Sequence, residues 1–132
     1  DRFIKNFQRL SKSVQKRLTI ENDDKASMYS VKDLMYIHNA IGIPIVFDYH
    51  HHQFCTGDLS EEAALKLAAT TWPEGITPVV HYSESKALHE NNPKEKPQAH
   101  SLYIKSLPNT YELDVDIMVE AKAKELAILK FI

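Results

Sequence analysis

The first apolar residues of the chain recur at helical spacing. Phe3, Phe7, Leu10 and Val14 are separated by four, three and four positions, which places them on one face of a helix. Basic residues recur at a similar spacing on a different face of that helix: Arg2, Lys5, Arg9, Lys12 and Lys16. The pattern predicts an amphipathic helix over residues 3–14, whose basic row is either a solvated face or a contact for phosphate groups.

After this helix, short apolar runs alternate with helical patterns. The apolar runs predict strands over residues 18–20, 44–47, 78–80 and 115–119. The helical patterns follow from Ser30 to Gly42, from Ser60 to Trp72-Pro73 and over residues 121–129, with serines placed where helix caps are expected. Repeated strand–helix order with continuous apolar strands predicts a parallel sheet joined by crossovers.

Four strand–helix units make half of a TIM (β/α)8 barrel, because a complete barrel needs roughly 250 residues and this chain has 132. A flavodoxin-like open sheet also fits the alternation. The barrel is favoured because every predicted strand leads into an acidic residue or a histidine, and functional side chains of barrels gather at the carboxyl ends of the strands. We therefore predict an α/β fold with four parallel strand–helix units after an amphipathic helix, and treat residues 1–132 as one partial domain.

Acidic residues and histidines at the predicted strand ends are candidate metal ligands. The strands end at Glu21, Asp48, His81 and Glu120. His51 follows Asp48 by three residues, and a turn at this spacing can direct both side chains toward one point. Alternatively, residues 50–52 form an exposed loop. Mixed carboxylate and imidazole ligands suit Mn²⁺ or Zn²⁺ better than Mg²⁺ or Ca²⁺. The complete candidate set is Glu21, Asp48, His51, His81, His100 and Glu120.

Other polar residues receive structural interpretations. The segment 83–110 is too long for an ordinary barrel connection, and its lysines, such as Lys86, either contact phosphates or form a solvated loop. We expect His38 to be structural because it lies among apolar helix positions, and His89 to be exposed. Cys55 has no neighbouring base and is not expected to be a nucleophile.

Composition narrows the class of protein. Hydrophobic residues make up 43% and charged residues 26% of the chain, which is typical of a soluble globular domain. The formal charge of −2 gives no overall attraction to nucleic acid. A single cysteine fits a reducing compartment, and no apolar run reaches the ~18 residues of a membrane span. We expect an intracellular protein, in the cytoplasm or in a eukaryotic nucleus, with no membrane association.

Four ordered blocks of the sequence resemble one family. They cover residues 18–24, 47–51, 80–83 and 116–125, and together they are similar to the UV damage endonucleases, relatives of metal-dependent apurinic endonucleases and sugar isomerases. The resemblance implies that the chain is the C-terminal half of the barrel and that the N-terminal half is missing. It also implies that the six candidate residues match the family's metal ligands, with Glu21 and Glu120 bridging neighbouring ions and acting in catalysis.

The resemblance implies a function in DNA repair. It predicts metal-dependent hydrolysis of the DNA phosphodiester 5′ to UV photoproducts, with Mn²⁺ the favoured ion and Zn²⁺ or Mg²⁺ as alternatives. The expected partners are damaged double-stranded DNA and the missing barrel half, which belongs to the same chain, a separate chain or a dimer mate. The isolated chain is expected to be incomplete for activity.

Two other functions remain open from the sequence. A sugar isomerase or epimerase also carries metal ligands at the strand ends of a barrel. A non-catalytic metal-binding half-barrel is the other reading, because Val79 and Leu102 stand where the family resemblance implies a lysine and an acidic residue.

Overall fold

The computed structural model of the protein describes all 132 residues and contains one four-stranded sheet whose strands are separated by helices. The strands are β1 (Ile20–Glu21), β2 (Ile45–Asp48), β3 (Val79–Tyr82) and β4 (Asp116–Val119). The helices are α1 (Arg2–Gln8), α2 (Lys12–Arg17), α3 (Val31–Ile41), α4 (Tyr49–His52), α5 (Glu61–Ala69), α6 (Lys86–Glu90) and α7 (Glu125–Phe131). None of these helices combines the length and the apolar character needed to cross a bilayer.

All neighbouring strands run parallel, in the order β1-β2-β3-β4. Sequential order is that of a (β/α)8 barrel, whereas a doubly wound open sheet reverses its strand order at a switch point. The predicted α/β fold with four parallel strands is therefore confirmed, and the flavodoxin-like alternative is wrong. In register, Asp48 of β2 lies beside His81 of β3, so the polar ends of adjacent strands are level.

The hydrophobic core lies between the sheet and the helices α3 and α5. Every residue of β2 is buried, as expected for an inner parallel strand covered on both faces. Phe47, Ile45 and Leu65 are among the largest fully buried side chains. The buried cluster consists of Val31, Leu34, Ile45, Phe47, Tyr49, Ala64, Leu65, Ala68 and Val80. It anchors the strands whose carboxyl ends carry the candidate ligands.

Local capping sets the bounds of α3, as the sequence predicted. The Ser30 hydroxyl accepts a hydrogen bond from the Asp33 backbone N–H at 3.2 Å, and the Asp33 carboxylate accepts one from the Ser30 N–H at 2.9 Å. This capping box satisfies two backbone donors at the start of the helix. Gly42 ends it in the left-handed conformation, with φ +73°, which glycine adopts without steric cost.

The prediction of one amphipathic helix over residues 3–14 is wrong in one respect, because this stretch forms two helices, α1 and α2. Ser11 is the reason, since its hydroxyl caps α2 by accepting the Val14 N–H at 3.4 Å. A serine side chain bonded to the backbone in this way competes with helix continuation. Of the predicted apolar face only Phe7 is buried, whereas Leu10 and Val14 are 40% and 43% exposed.

The last helix begins later than the sequence predicted, at Glu125 rather than at residue 121. The backbone N–H groups of Lys122 and Ala123 donate to the carbonyl oxygens of Ser101 and Leu102, at 2.9 and 3.0 Å. Because these two N–H groups bond to Ser101 and Leu102, the chain around them is held outside the helix. Residues 121–124 instead connect the end of β4 to the loop that carries His100.

The long segment after β3 contains structure that the sequence did not predict. It includes the helix α6 and an antiparallel bridge between Ser85 and His100. Lys86 pairs with Glu95, Nζ to Oε1, at 2.9 Å. The expectation that His89 is exposed is wrong, because its side chain is only 18% exposed and its Nε2 lies 2.7 Å from Glu84 Oε1. We call this segment, residues 83–110, the strap, because it crosses the carboxyl end of the sheet.

Gly57 should be the most sensitive glycine of the fold. Its φ is +59°, and a Cβ built there would overlap the Ser30 hydroxyl and lie 2.8 Å from Ser30 Cβ, which would displace the cap of α3. We expect Gly57→Ala to lower the free energy of unfolding by about 2–3 kcal/mol. The matched control is Gly75→Ala, where φ is +84° but no atom lies within 4 Å, so only backbone strain of about 1 kcal/mol is expected. Equal losses for the two variants in urea unfolding would refute the steric explanation.

Candidate metal centre

Glu21, Asp48, His81 and Glu120 lie at the carboxyl ends of the four strands, and His51 of α4 and His100 of the segment after β3 lie beside them. His81 Nδ1 lies 3.1 Å from Glu21 Oε1 and 3.1 Å from Glu120 Oε1. His51 Nδ1 lies 3.4 Å from the same Glu21 oxygen and 3.6 Å from Asp48 Oδ2. His100 completes the row, with its Nδ1 3.9 Å from Glu120 Oε2. The convergence expected from parallel strand ends is thus present in the structure.

Within this cluster, two groups of three have ligand atoms mutually within 4.8 Å. The first consists of Glu21, Asp48 and His51, and the second of Asp48, His81 and Glu120. Asp48 belongs to both groups. The geometry therefore contains two overlapping sets of potential ligands that share one carboxylate.

Asp48 is the central and most buried carboxylate, with no exposed surface. Its Oδ1 accepts a hydrogen bond from the His51 backbone N–H at 2.9 Å, which caps the short helix α4. Its Oδ2 is buried and has no hydrogen-bond partner. Burial, together with the neighbouring Glu21 carboxylate, raises the pKa of Asp48 to about 7. A buried carboxylate oxygen without a donor calls for a cation or a proton.

Asn22 holds the ends of β1 and β2 in register, a role that sequence reasoning missed. Its Oδ1 accepts the Asp48 backbone N–H at 2.8 Å, and its Nδ2 donates to the Asp48 carbonyl at 3.0 Å. Asn22 is 1% exposed, so its side-chain amide is bonded to the Asp48 backbone and not to solvent. The signal was its position directly after Glu21, where a buried strand end needs side-chain partners for its backbone.

His51 is oriented by the backbone of Asn22. Its Nδ1 lies 2.8 Å from the Asn22 carbonyl oxygen, which can only accept, so Nδ1 carries the proton and the neutral ring leaves Nε2 free. Ligating histidines are commonly fixed in this way by a carbonyl on the other ring nitrogen. Burial opposes the charged form of the ring, but Asp48, the Asn22 carbonyl and Glu21 outweigh it and raise the pKa of His51.

His81 lies between the two glutamates that end β1 and β4. The hydrogen bond to Glu21 raises the pKa of His81, and the charge of Glu120 acts in the same direction. Burial would raise the pKa of Glu21, but the hydrogen bond with His81, the neighbouring Asp48 carboxyl group and the charges of His81 and His51 outweigh burial and lower it. A positive charge between the two glutamates is therefore favoured.

The residues next to His51 are not an exposed loop. Residues 49–52 form the helix α4, and His50 and His52 are 2% and 5% exposed. Burial lowers the pKa of both rings. The alternative in which residues 50–52 bind metal accidentally from a solvated loop is therefore wrong.

His38 and Cys55 do not contribute to this cluster. His38 Nδ1 lies 3.0 Å from the Ile43 carbonyl oxygen, in agreement with the structural role expected for it. The Cys55 thiol is buried, its Sγ donates to the Met28 carbonyl at 3.7 Å, and burial raises its pKa. A raised thiol pKa disfavours the thiolate, so Cys55 is unsuited to nucleophilic chemistry, as the sequence indicated.

The cluster fits divalent metal ions. It offers the carboxylates of Glu21, Asp48 and Glu120 and three imidazole rings, and Asp48 presents a buried oxygen that no protein donor satisfies. Oxygen and nitrogen ligands in this mixture suit Mn²⁺ or Zn²⁺.

Comparisons with known proteins agree on one family. The sequence model of the family described as UV-endonuclease UvdE matches residues 1–132. The chain is 42% identical to the UV-damage endonuclease of Schizosaccharomyces pombe, over 98% of this chain and 22% of that protein. It is 34% identical to the UV DNA damage endonuclease of Bacillus cereus, over 100% of this chain and 42% of that protein.

A solved structure agrees in fold as well as in sequence. The structure described as "Crystal Structure of SacUVDE" matches with a TM-score of 0.80 and 40% identity, over 98% of this chain and 43% of that chain. The chain therefore spans less than half the length of the relatives it matches, from 22% to 43% in these three cases.

Proposed function

This chain belongs to the UV-endonuclease UvdE family, and from that premise we propose that it is the C-terminal half of a metal-dependent DNA repair endonuclease. The proposed reaction is hydrolysis of the phosphodiester 5′ to a UV photoproduct in double-stranded DNA. The observation that carries the proposal is the cluster of three carboxylates and three histidines at the carboxyl edge of four parallel strands. This is the edge at which TIM barrels place their active sites.

In the proposed site, Glu21 and Glu120 would hold divalent ions from the two outer strands of the sheet. His81 lies between them, with Nδ1 3.1 Å from an oxygen of each. Asp48 and His51 complete the ligands beside Glu21, and His100 those beside Glu120. Mn²⁺ is the favoured ion, with Zn²⁺ or Mg²⁺ as alternatives. When bound, such ions neutralise a scissile phosphate, acidify water and stabilise a departing oxygen.

The chain's own residues prepare this site before any ion binds. Asn22 aligns the ends of β1 and β2, and its carbonyl keeps a proton on Nδ1 of His51. The backbone of α4 fixes one oxygen of Asp48 and leaves the other free. Side chains that are already fixed would lose little conformational freedom on binding a metal ion.

We propose that residues outside these 132 complete the site. Its relatives are more than twice as long, and β1 and β4 are the free edges of the sheet. Unpaired strand edges are normally covered or closed into a barrel. Met118 of β4 is 53% exposed, which leaves apolar surface for the other half of the barrel to cover. We propose that the N-terminal barrel half supplies the missing ligands and the contacts to the lesion.

Recognition of damage is expected to depend on the DNA as much as on the protein. The net charge of −2 gives this half no general attraction to a polyanion. Photoproducts distort the duplex and weaken stacking, so a damaged site is deformed at lower cost than intact DNA. We therefore propose that ease of deformation contributes to lesion selection.

The rival functions make different predictions. A sugar isomerase would use the same strand-end ligands on a polyol, but the relatives reported above are named as endonucleases. A non-catalytic half-barrel would keep the metal cluster without the reaction. The nuclease is favoured because both family similarity and the ligand cluster extend over the same four strands.

A nicking assay tests the proposed function. The protein is used in the longest natural form that contains these 132 residues, with Mn²⁺ and a labelled duplex carrying one pyrimidine dimer. We expect a single cut directly 5′ of the dimer, no cut in the undamaged duplex, and loss of cutting when the metal is chelated. Isomerisation of a ketose without nicking would support the rival enzyme. Mn²⁺ binding without either reaction would support the non-catalytic scaffold.

A further inference from the structure

His50 lies against the ring of His100, although it contacts no carboxylate of the metal cluster. The two ring centroids are 5.6 Å apart and the ring planes meet at 78°, an edge-to-face contact. His50 Nε2 lies 3.1 Å from the carbonyl oxygen of Gln98, two residues before His100. His50 therefore touches both the side chain of His100 and the backbone that leads into it.

His100 needs such support because it lies in a strap and not at the end of a strand. The antiparallel bridge to Ser85 fixes its backbone, with Lys86 N–H donating to Ala99 at 2.9 Å and Ser101 N–H donating to Glu84 at 2.8 Å. Backbone bonds do not fix the torsions of the imidazole. The separation of its Nδ1 from Glu120 Oε2 is 3.9 Å, longer than those between His81 and either glutamate.

His50 is itself held firmly. Its ring meets Phe54 edge to face at 5.3 Å, and it is 2% exposed. Because a carbonyl can only accept, the bond to Gln98 requires the proton on Nε2 and defines the orientation of the ring. The same four-residue helix α4 presents His51 to Glu21 and Asp48. One rigid turn thus contacts both ends of the cluster.

We propose that His50 is a positioning residue that holds the His100 imidazole toward Glu120. The inference rests on the proposed function, because His100 matters for activity only if the cluster binds metal. His50 acts through ring contact and through the bond to Gln98, and it is not itself a ligand. Outer residues that orient metal ligands typically affect metal affinity by 10- to 100-fold.

The first test is a Mn²⁺ titration of the longest natural form of the protein. We expect His50→Ala to weaken Mn²⁺ binding roughly tenfold, and His100→Ala to weaken it at least as much. The double variant should bind no more weakly than His100→Ala alone, because His50 acts only through His100. If the two losses multiply as independent effects do, the inference is wrong.

His52→Ala is the matched control for damage to α4. His52 lies on the same helix and is 5% exposed, but its ring contacts Phe47 at 5.4 Å between centroids. We expect it to lower thermal stability without the tenfold loss of Mn²⁺ affinity. An equal loss of affinity in His52→Ala would show that any disturbance of the helix suffices. If His50→Ala does not fold, His50→Phe replaces it in the same measurements. Phenylalanine keeps an aromatic ring beside His100 but lacks the N–H that donates to Gln98.

A metal-free measurement separates this inference from the proposed function. In protein with ¹³C-labelled histidine rings, the His100 resonances should shift and broaden in His50→Ala and stay unchanged in His52→Ala. Unchanged His100 resonances in His50→Ala would overturn the inference even if the wild type binds Mn²⁺. Absence of Mn²⁺ binding in the wild type would instead refute the proposed metal centre, and the ring resonances alone would then decide the role of His50.

Discussion

Replacing Glu120 with glutamine is expected to lower the nicking rate on dimer-containing DNA roughly a thousandfold or more, about 4 kcal/mol in activation free energy. Glu120 contacts both His81 and His100, at 3.1 and 3.9 Å. An amide keeps the shape of the carboxylate but removes the charge that binds a divalent ion. Single-turnover cutting of the labelled duplex with Mn²⁺ measures the loss, and DNA affinity is expected to change far less.

Glu125→Gln is the control for this substitution. Glu125 lies five positions further along and is exposed at the start of α7, so the same charge is removed near the site without loss of a candidate ligand. We expect its cutting rate to stay within about threefold of the wild type, since exposed charges act weakly. Activity of Glu120→Gln within tenfold of the control would exclude Glu120 as an essential ligand.

Asp48→Asn is expected to have opposite effects on the metal-free and metal-bound protein. Without metal, the pKa of Asp48 is raised from 3.8 to about 7, so the folded state binds this proton more tightly than the unfolded chain. The free energy of unfolding therefore falls as pH rises from about 4 to about 7, by up to about 4 kcal/mol from this group. The raised pKa values of His51 and His81 act in the same direction.

Asparagine removes the cost of ionising Asp48 while keeping an oxygen for the His51 N–H. Metal-free Asp48→Asn should therefore be more stable than the wild type at pH 8, with a smaller dependence on pH. With Mn²⁺ at 100 times its dissociation constant, the wild type should gain about 2.7 kcal/mol, and the variant should gain little.

Urea unfolding at pH 5 and pH 8, with and without Mn²⁺, measures both effects. Asp116→Asn is the control, because Asp116 is exposed at the start of β4, away from the strand ends that carry the cluster. An unchanged pH dependence in Asp48→Asn would mean that Asp48 is already ionised in the folded protein at pH 5. A wild-type Mn²⁺ gain in this variant would mean that Asp48 does not bind the ion.

The sequence alone predicted four parallel strands and the polar residues that follow them, whereas the sequential order of the strands was established by the structure. Apolar runs such as residues 45–47 and 79–80 are typical of buried parallel strands, and polar residues follow each of them directly. Parallel strands place these polar residues together, so Glu21, Asp48 and His81 could be identified without coordinates. The serine caps of α3 and α5 were also predictable, because capping depends on residues three positions apart.

Only the tertiary structure decided how those residues are held. The bond between Asn22 and Asp48 spans 26 residues, and that between His50 and Gln98 spans 48. The strap that carries His100 and the late start of α7 likewise depend on bonds between distant backbone groups. The local sequence pattern shows which face of a helix or strand can be buried. The hydrogen-bond partner of a buried polar group depends instead on which distant residues the fold brings beside it. For this reason the convergence of Glu21, Asp48 and His81 could be predicted from their positions after the strands, whereas the partners that orient these side chains could not.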